Sequence, residues 1–311
     1  MKQLIKTLIL ILVCASFSSC TERPLAIADN DFDVTVASAT YSANRPKVLF
    51  DEGHNNVHKT TGTYKPFASL IRNDGCDLTV TDKQITGEVL SGFDIYIIAN
   101  ARGTGELNDT PAFTEQECNS IKEWVNNGGS LLLITDHFPM GSAVEPLANK
   151  FGVEMQKGLV QDSVYHDQSS KDESQLEFSK ENKLLADCEI TSGIDKVITF
   201  TGQSIKCNDS CISFLNLSDV AYDLTPNTEV IKDGSDTRVN VTFGNPQSAK
   251  GRSQGLAFKY GQGKVIVLGE AAMLSAQLTR DNSKFGMNVN PGNKKLALNI
   301  IHWLAKTTNQ K

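Results

Sequence analysis

Several things are scarce in this 311-residue sequence, and each scarcity excludes a class. Beyond residue 13 no apolar run approaches the roughly 20 residues needed to cross a bilayer core, so no membrane-spanning helix is expected in the body of the chain. Basic residues are outnumbered, 30 Lys and Arg against 36 Asp and Glu, giving a formal charge of -6. That sign does not suit a phosphate backbone, and nucleic acid is not expected as a partner. Aromatics are few, at 7%, but 40% hydrophobic and 21% charged residues suit a globular body rather than a disordered one. There is no G-x-S-x-G elbow, no Walker A loop and no dinucleotide fingerprint; Gly103-Thr104-Gly105 lacks the third glycine. Cys207 and Cys211, in CNDSC, have no second pair with which to build a four-ligand zinc site. They could instead close a small disulfide loop in an oxidising compartment, or stand as two separate thiols.

What is present begins at the N-terminus. Lys2 and Lys6 form a positive region, Leu8 to Val13 a short apolar core, and Phe17-Ser18-Ser19 sets small residues directly before Cys20. This is the layout of a lipoprotein signal peptide over residues 1–19, with Cys20 as the acylated mature N-terminus. Phe17 departs from the usual aliphatic residue, and an ordinary secretory signal is the alternative. Cleavage removes Lys2 and Lys6, taking the formal charge from -6 to -8. The expected address is the cell envelope, lipid-anchored to a membrane outside the cytoplasm without spanning it. Residues 20–45, polar and without sustained periodicity, are expected to be a linker. Their DNDFD run lacks the glycine and distal glutamate of a calcium loop.

From residue 46 to 308 the pattern becomes that of an α/β domain. Apolar runs in KVLFDEG, LTVTD, DIYIIANA, SLLLITDH and KVIVLGEA read as strands, most of them buried on both faces in a mostly parallel sheet. Helical spacing covers about Tyr64 to Asn73, Thr114 to Asn127, Ala143 to Phe151 and Asn293 to Lys306. Thr114 and Glu117 form a capping box. Residues 154–260 break the rhythm with strand-like runs and no intervening helices, predicting an inserted, partly antiparallel β region.

In an open parallel sheet, ligands gather at the carboxyl ends of the strands. There the sequence places Asp51, Glu52, His54 and Asn55; Asn100 and Arg102; Asp136 and His137; and Glu270. Glu52, His54, His137 and Glu270 are the candidate catalytic residues, since packed carboxylates raise one another's pKa and imidazoles exchange protons near neutrality. Asp51, Asn55, Asn100, Arg102 and Asp136 are the candidate ligand-binding residues. No cofactor is expected, although the carboxylate and imidazole set is also of a kind that holds a divalent metal. Structural roles compete with these. Asp136 could cap a helix, Asp51 could satisfy loop amides, and Glu270 could sit at a helix N-terminus.

The stretches VLFDEGHNN, GGSLLLITDHFPMGSAVEPLANKFGV, VITFTGQSI, GRSQGLAFKYGQGKVIVLGEAAMLSAQ and GMNVNPGNKKLALNIIHWLA resemble a bacterial family. It is the class I glutamine amidotransferase-like, DUF4350-type domain of uncharacterised bacterial lipoproteins. The resemblance implies a flavodoxin-like three-layer sandwich. It does not carry amidotransferase chemistry, because SLLLIT is followed by Asp136-His137 where that chemistry needs a nucleophilic cysteine. Cys118 falls inside a helix, and the position of Glu270 has no histidine partner. Glutaminase activity is not expected. Two functions are left: a hydrolase acting on envelope or extracellular glycans or peptides, and a non-catalytic ligand-binding or assembly module of the envelope.

Overall fold

A computed structural model describes residues 26–207, 211–233 and 236–305. The expected signal peptide and the anchor Cys20 lie outside the described residues. The chain starts with a short strand, β1 (Ala26–Ala28), and then alternates: β2 (Lys47–Asp51), α1 (Lys65–Asn73), β3 (Asp77–Thr81), α2 (Gly87–Leu90), β4 (Ile95–Ala99), α3 (Glu115–Asn126), β5 (Ser130–Ile134) and α4 (Met140–Asn149). Short strands follow: β6 (Val153–Met155), β7 (Leu159–Gln161), β8 (Glu177–Ser179), β9 (Lys196–Ile198), β10 (Ile205–Cys207) and β11 (Ile212–Asn216). A long hairpin, β12 (Tyr222–Asp233) and β13 (Asp236–Ser248), precedes β14 (Ser253–Tyr260) and β15 (Gly263–Leu268). The chain closes with β16 (Ala276–Thr279), β17 (Lys284–Gly286) and α5 (Pro291–Ala305).

The central sheet runs β3-β2-β4-β5-β15-β14-β10-β6, with β11 also pairing to β14. The first five strands are parallel; from β15 outward every pairing is antiparallel. The apolar runs have a direct cause: β4, β5 and β15 have no exposed face. Side chains alternate across them. Val48, Phe50, Ile95 and Ile97 join the core with α1 and α5, while Leu49, Tyr96 and Ile98 join the core with α3 and α4. The region 154–260 both widens this sheet and builds a separate three-stranded sheet, β13-β12-β7. Cys207 and Cys211 are disulfide-bonded, closing the loop between β10 and β11.

Local signals explain the element ends. Thr114 and Glu117 make the reciprocal capping box at α3. Gly75 and Gly128 adopt left-handed backbone just past α1 and α3. α4 starts at Met140, three residues before the expected Ala143. The last carbonyls of α5 accept from Lys264 Nζ and Ser130 Oγ, which ties the helix to the sheet.

The expected linker is corrected over its described part. β1 pairs with β16, Asp29 is buried and accepts from Asn288, and Phe32, Val34, Val36 and Tyr41 pack on the core. Asp74 fixes the far end by accepting from the Thr40 and Tyr41 amides. Residues 26–45 are a strap on the body. Side chains inserted singly give it no helical period, which is why it reads as tether.

Candidate functional site

The predicted residues do gather at the carboxyl ends of the parallel strands, but they divide into two buried networks and a rim. The first network hangs from the end of β2. Asp51 is fully buried and accepts from His54 Nδ1 at 2.8 Å and from Asn56 Nδ2 at 3.0 Å. His54 Nε2 reaches Glu117 Oε1 at 3.0 Å, and the ring stacks on Phe113 with centroids 3.9 Å apart. A ring that donates from both nitrogens is an imidazolium. Burial opposes that charge, but Asp51 and Glu117 outweigh it and hold the pKa of His54 above its ordinary value. Burial also opposes ionisation of Glu117. The amides of Ile85 and Thr114, with the His54 ring, hold its carboxyl below the usual range. The triad is satisfied internally and offers no group to a substrate.

The second network lies at the carboxyl ends of β4, β5 and β15. Asn100, in left-handed backbone, donates Nδ2 to Asp136 Oδ2 at 2.9 Å and accepts the Asp136 amide at 2.8 Å. Asp136 is buried, and its Oδ1 has no hydrogen-bond partner among the described residues. Burial pushes its carboxyl up to about 6, against the opposing effects of His137 and Asn100. Glu270 is fully buried and accepts the amides of Ala272 and Met273 at 2.6 and 2.8 Å, capping a short 3-10 turn. Burial and then the Asp136 charge push it well above the ordinary carboxylate value. Tyr64 donates to Ala271 O at 2.6 Å, and its phenol is pushed up by burial and by the same two carboxylates. His58 stacks on Tyr64 and hydrogen-bonds Thr63; burial pushes it down to about 4, which leaves it neutral.

The insertion explains this burial. Gln203 crosses the strand ends, donating Nε2 to Asp136 O and its amide to Gly269 O, both at 2.8 Å. A Cβ on Gly202 would stand 2.6 Å from Gly269 O and 2.8 Å from Glu270 Cβ, so only glycine lets this segment seal the carboxylates.

The rim is what remains accessible. Glu52 turns inward to accept the Thr60 amide and hydroxyl, each at 2.7 Å. Arg102 locks Asn55 by bonds to its carbonyl and side chain at 3.2 Å, while Asn55 donates to Gly103 O. His137 is half-buried and donates Nδ1 to Phe138 O at 2.7 Å, which orients the ring and leaves Nε2 without a hydrogen-bond partner among the described residues. Phe243 of β13 meets the His137 ring edge-on at 5.0 Å, and Lys232 of β12 pairs with Glu106 at 3.2 Å. The β12–β13 arm thus overhangs the loops after β4 and β5. Its register puts Pro226, Thr228 and Val230 on the same face as Phe243, Val241 and Val239. Val230 stays 37% exposed, while Phe243, Val241 and Val239 are partly buried.

Of the candidate catalytic residues, His54 and Glu270 are therefore engaged in the frame, while Glu52 is held through Oε1 alone and His137 through Nδ1 alone, so each of these two half-buried groups keeps one polar atom uncommitted. Among the described residues no group of three or more His, Cys, Asp or Glu converges to hold a metal ion. Sequence reasoning missed Glu117, whose capping box disclosed only half its role, and Phe243, which carries no local signal.

The chain superposes on the mmIFT52 N-terminal domain with a TM-score of 0.61 at 16% identity, covering 85% of this chain and 100% of that one. That likeness is one of fold. Weaker similarities, with TM-scores of 0.44 and 0.43, link it to cytoplasmic protein STM3548 from Salmonella typhimurium and to a putative GMP synthase protein from Thermoplasma acidophilum. Identities are 14% and 10%, covering 84% and 85% of this chain and 100% and 96% of those chains. No family model and no curated protein matches the chain. It is a mixed α/β protein with a large, mostly parallel sheet and additional antiparallel sheets.

Proposed function

We propose that this chain is an envelope lipoprotein, anchored through Cys20, whose body is a non-catalytic binding module for a glycan or peptide. On this reading the frame is a flavodoxin-like three-layer sandwich of the class I glutamine amidotransferase-like kind, retained without its hydrolytic chemistry. One observation carries the reading: two of the four acid–base candidates, His54 and Glu270, are consumed by internal hydrogen bonds and a third, Glu52, is tied to Thr60, while an aromatic, an imidazole and a guanidinium line an overhung rim. Aromatic and planar polar groups of this kind suit sugar rings and peptide backbones. The Cys207–Cys211 disulfide supports an oxidising compartment. Calorimetric titration of envelope glycans and peptides, run beside turnover assays, tests it: binding without turnover is expected, and turnover abolished by His137→Ala would refute it.

A hydrolase is the second reading, and a specific observation favours it. Asp136 is pushed up to about 6 directly beside His137, whose Nε2 has no hydrogen-bond partner among the described residues. A pH–rate profile with an apparent pKa near 6, moved by Asp136→Asn, would establish it.

A further inference from the structure

The strap that replaces the expected linker changes what the anchor does. If Cys20 carries the lipid, only residues 21–25 separate it from β1, six Cα steps that span at most roughly 20 Å. A body of this size has a radius of gyration of roughly 19 Å and so a diameter of roughly 45–50 Å. The tether is shorter than the body is wide, and the surface around Ala26 must face the bilayer.

That surface has a composition of its own. Two open grooves of about 600 and 590 Å³ border β1 and the residues directly after it, one lined also by Val57, Lys59 and Lys65, the other by Phe32, Lys284 and Val289. Val57 and Val289 are 44% and 37% exposed, and Lys59, Lys65 and Lys284 are exposed around them. Lys65 Nζ is held by Asn30, and Lys294 by Asp33 O. Asp31 and Asp33 are exposed on the same side, so the charge is mixed rather than uniformly basic. Apolar side chains ringed by lysines meet a headgroup layer well, because the stems bury while the amines stay wet.

We propose that the anchored protein is held with this β1 surface, at the carboxyl ends of the parallel strands, against the lipid headgroups. The inference rests on the lipid-anchor reading and adds an orientation to it. Its consequence concerns the ligand: Val57 donates its amide to Asn100 O and stands two residues from Asn55, so the rim of the candidate site borders the membrane. Ligands would be met in the layer next to the lipid rather than far out from it.

The test uses the full acylated chain in vesicles of phosphatidylethanolamine and phosphatidylglycerol, on a Cys188→Ser background in which Cys76 and Cys118 are buried. Spin labels go on Val57→Cys, Val289→Cys and Asn127→Cys, the last being exposed at the opposite ends of the strands. The labels at 57 and 289 should be several-fold more accessible to oxygen in the lipid, and less to a water-soluble relaxant, than the label at 127. A 30-residue Gly-Ser insertion after Glu22 should weaken that contrast. Three labels equally exposed to water on protein that still floats with vesicles would overturn the orientation and leave the anchor standing. Protein that fails to float, as Cys20→Ser should, would overturn the anchor and the orientation together.

Discussion

Glu117 Oε1 lies 3.0 Å from His54 Nε2, which joins the first turn of α3 to the loop after β2 across 63 residues of sequence. The contact turns a helix cap into one end of a buried Asp51–His54–Glu117 triad. Removing the middle member leaves two buried carboxylates facing each other without a cation, a loss of about 3–5 kcal/mol in comparable buried pairs. His54→Ala should therefore lower Tm by many degrees, as measured by calorimetry.

The same triad sets a pH window. His54 has a raised pKa, so its stabilisation is complete below the unfolded value of 6.5 and is lost as pH rises through the folded value. Glu117 has a lowered pKa, so its stabilisation is present above the unfolded value of 4.5 and is lost as pH falls through the folded value. The stability gap between the wild type and His54→Gln should be widest between about 4.5 and 6.5 and narrow on the alkaline side. Denaturant titration at a series of pH values checks this; a gap that widens from pH 7 to 9 would contradict it.

Asp136 behaves oppositely. Its carboxyl moves from 3.8 unfolded to about 6 folded, so the native state holds the proton more tightly and stability falls as pH rises between those values. A shift of about two units corresponds to about 3 kcal/mol. Asp136→Asn keeps an acceptor for Asn100 and removes the charge next to Glu270. It should flatten the decline in Tm between pH 4 and 6 and raise Tm at pH 7. An unchanged slope would show that the Asp136 carboxyl does not hold its proton more tightly in the folded state.

Much of this was legible in the sequence, and the boundary is physical. Runs such as IYIIA and SLLLI announce buried parallel strands because burial on both faces suppresses alternation, and the Thr114 box announces α3 outright. The place of Asp51, Asp136 and Glu270 followed from strand ends alone, but not their division between two networks. What each group does there did not, because it depends on partners distant in sequence: Glu117 for His54, Gln203 for Asp136, and the 3-10 turn for Glu270. Phe32, Val34 and Val36 alternate within the supposed linker, a period-2 signal too short to separate a strap from a tether.

Gly202→Ala tests the seal over the carboxylates. The added methyl would meet Gly269 O and Glu270 Cβ at less than 3.0 Å, and overpacking of this kind costs about 1–3 kcal/mol. Tm should fall, and hydrogen exchange should rise in residues 200–204 and 269–274. Protection unchanged in both segments would mean that they do not seal one another.

Phe243→Ala should release the arm and leave the body intact. Amide exchange should increase across 225–245 while the base of the arm, paired to β7 at 222–224, and the central strands keep their protection, since beyond that base the arm's remaining tie named above, Lys232 to Glu106, is an exposed pair contributing at most about 1 kcal/mol.

The most direct test of a binding module without catalysis is a glycan and peptide panel assayed in parallel for affinity and turnover, with wild type, Phe243→Ala and His137→Ala. A saturable ligand that is released unchanged is expected, with affinity falling at least about tenfold, or about 1.4 kcal/mol, in both variants. Covalent change of the ligand by the wild type, lost in His137→Ala, would contradict it.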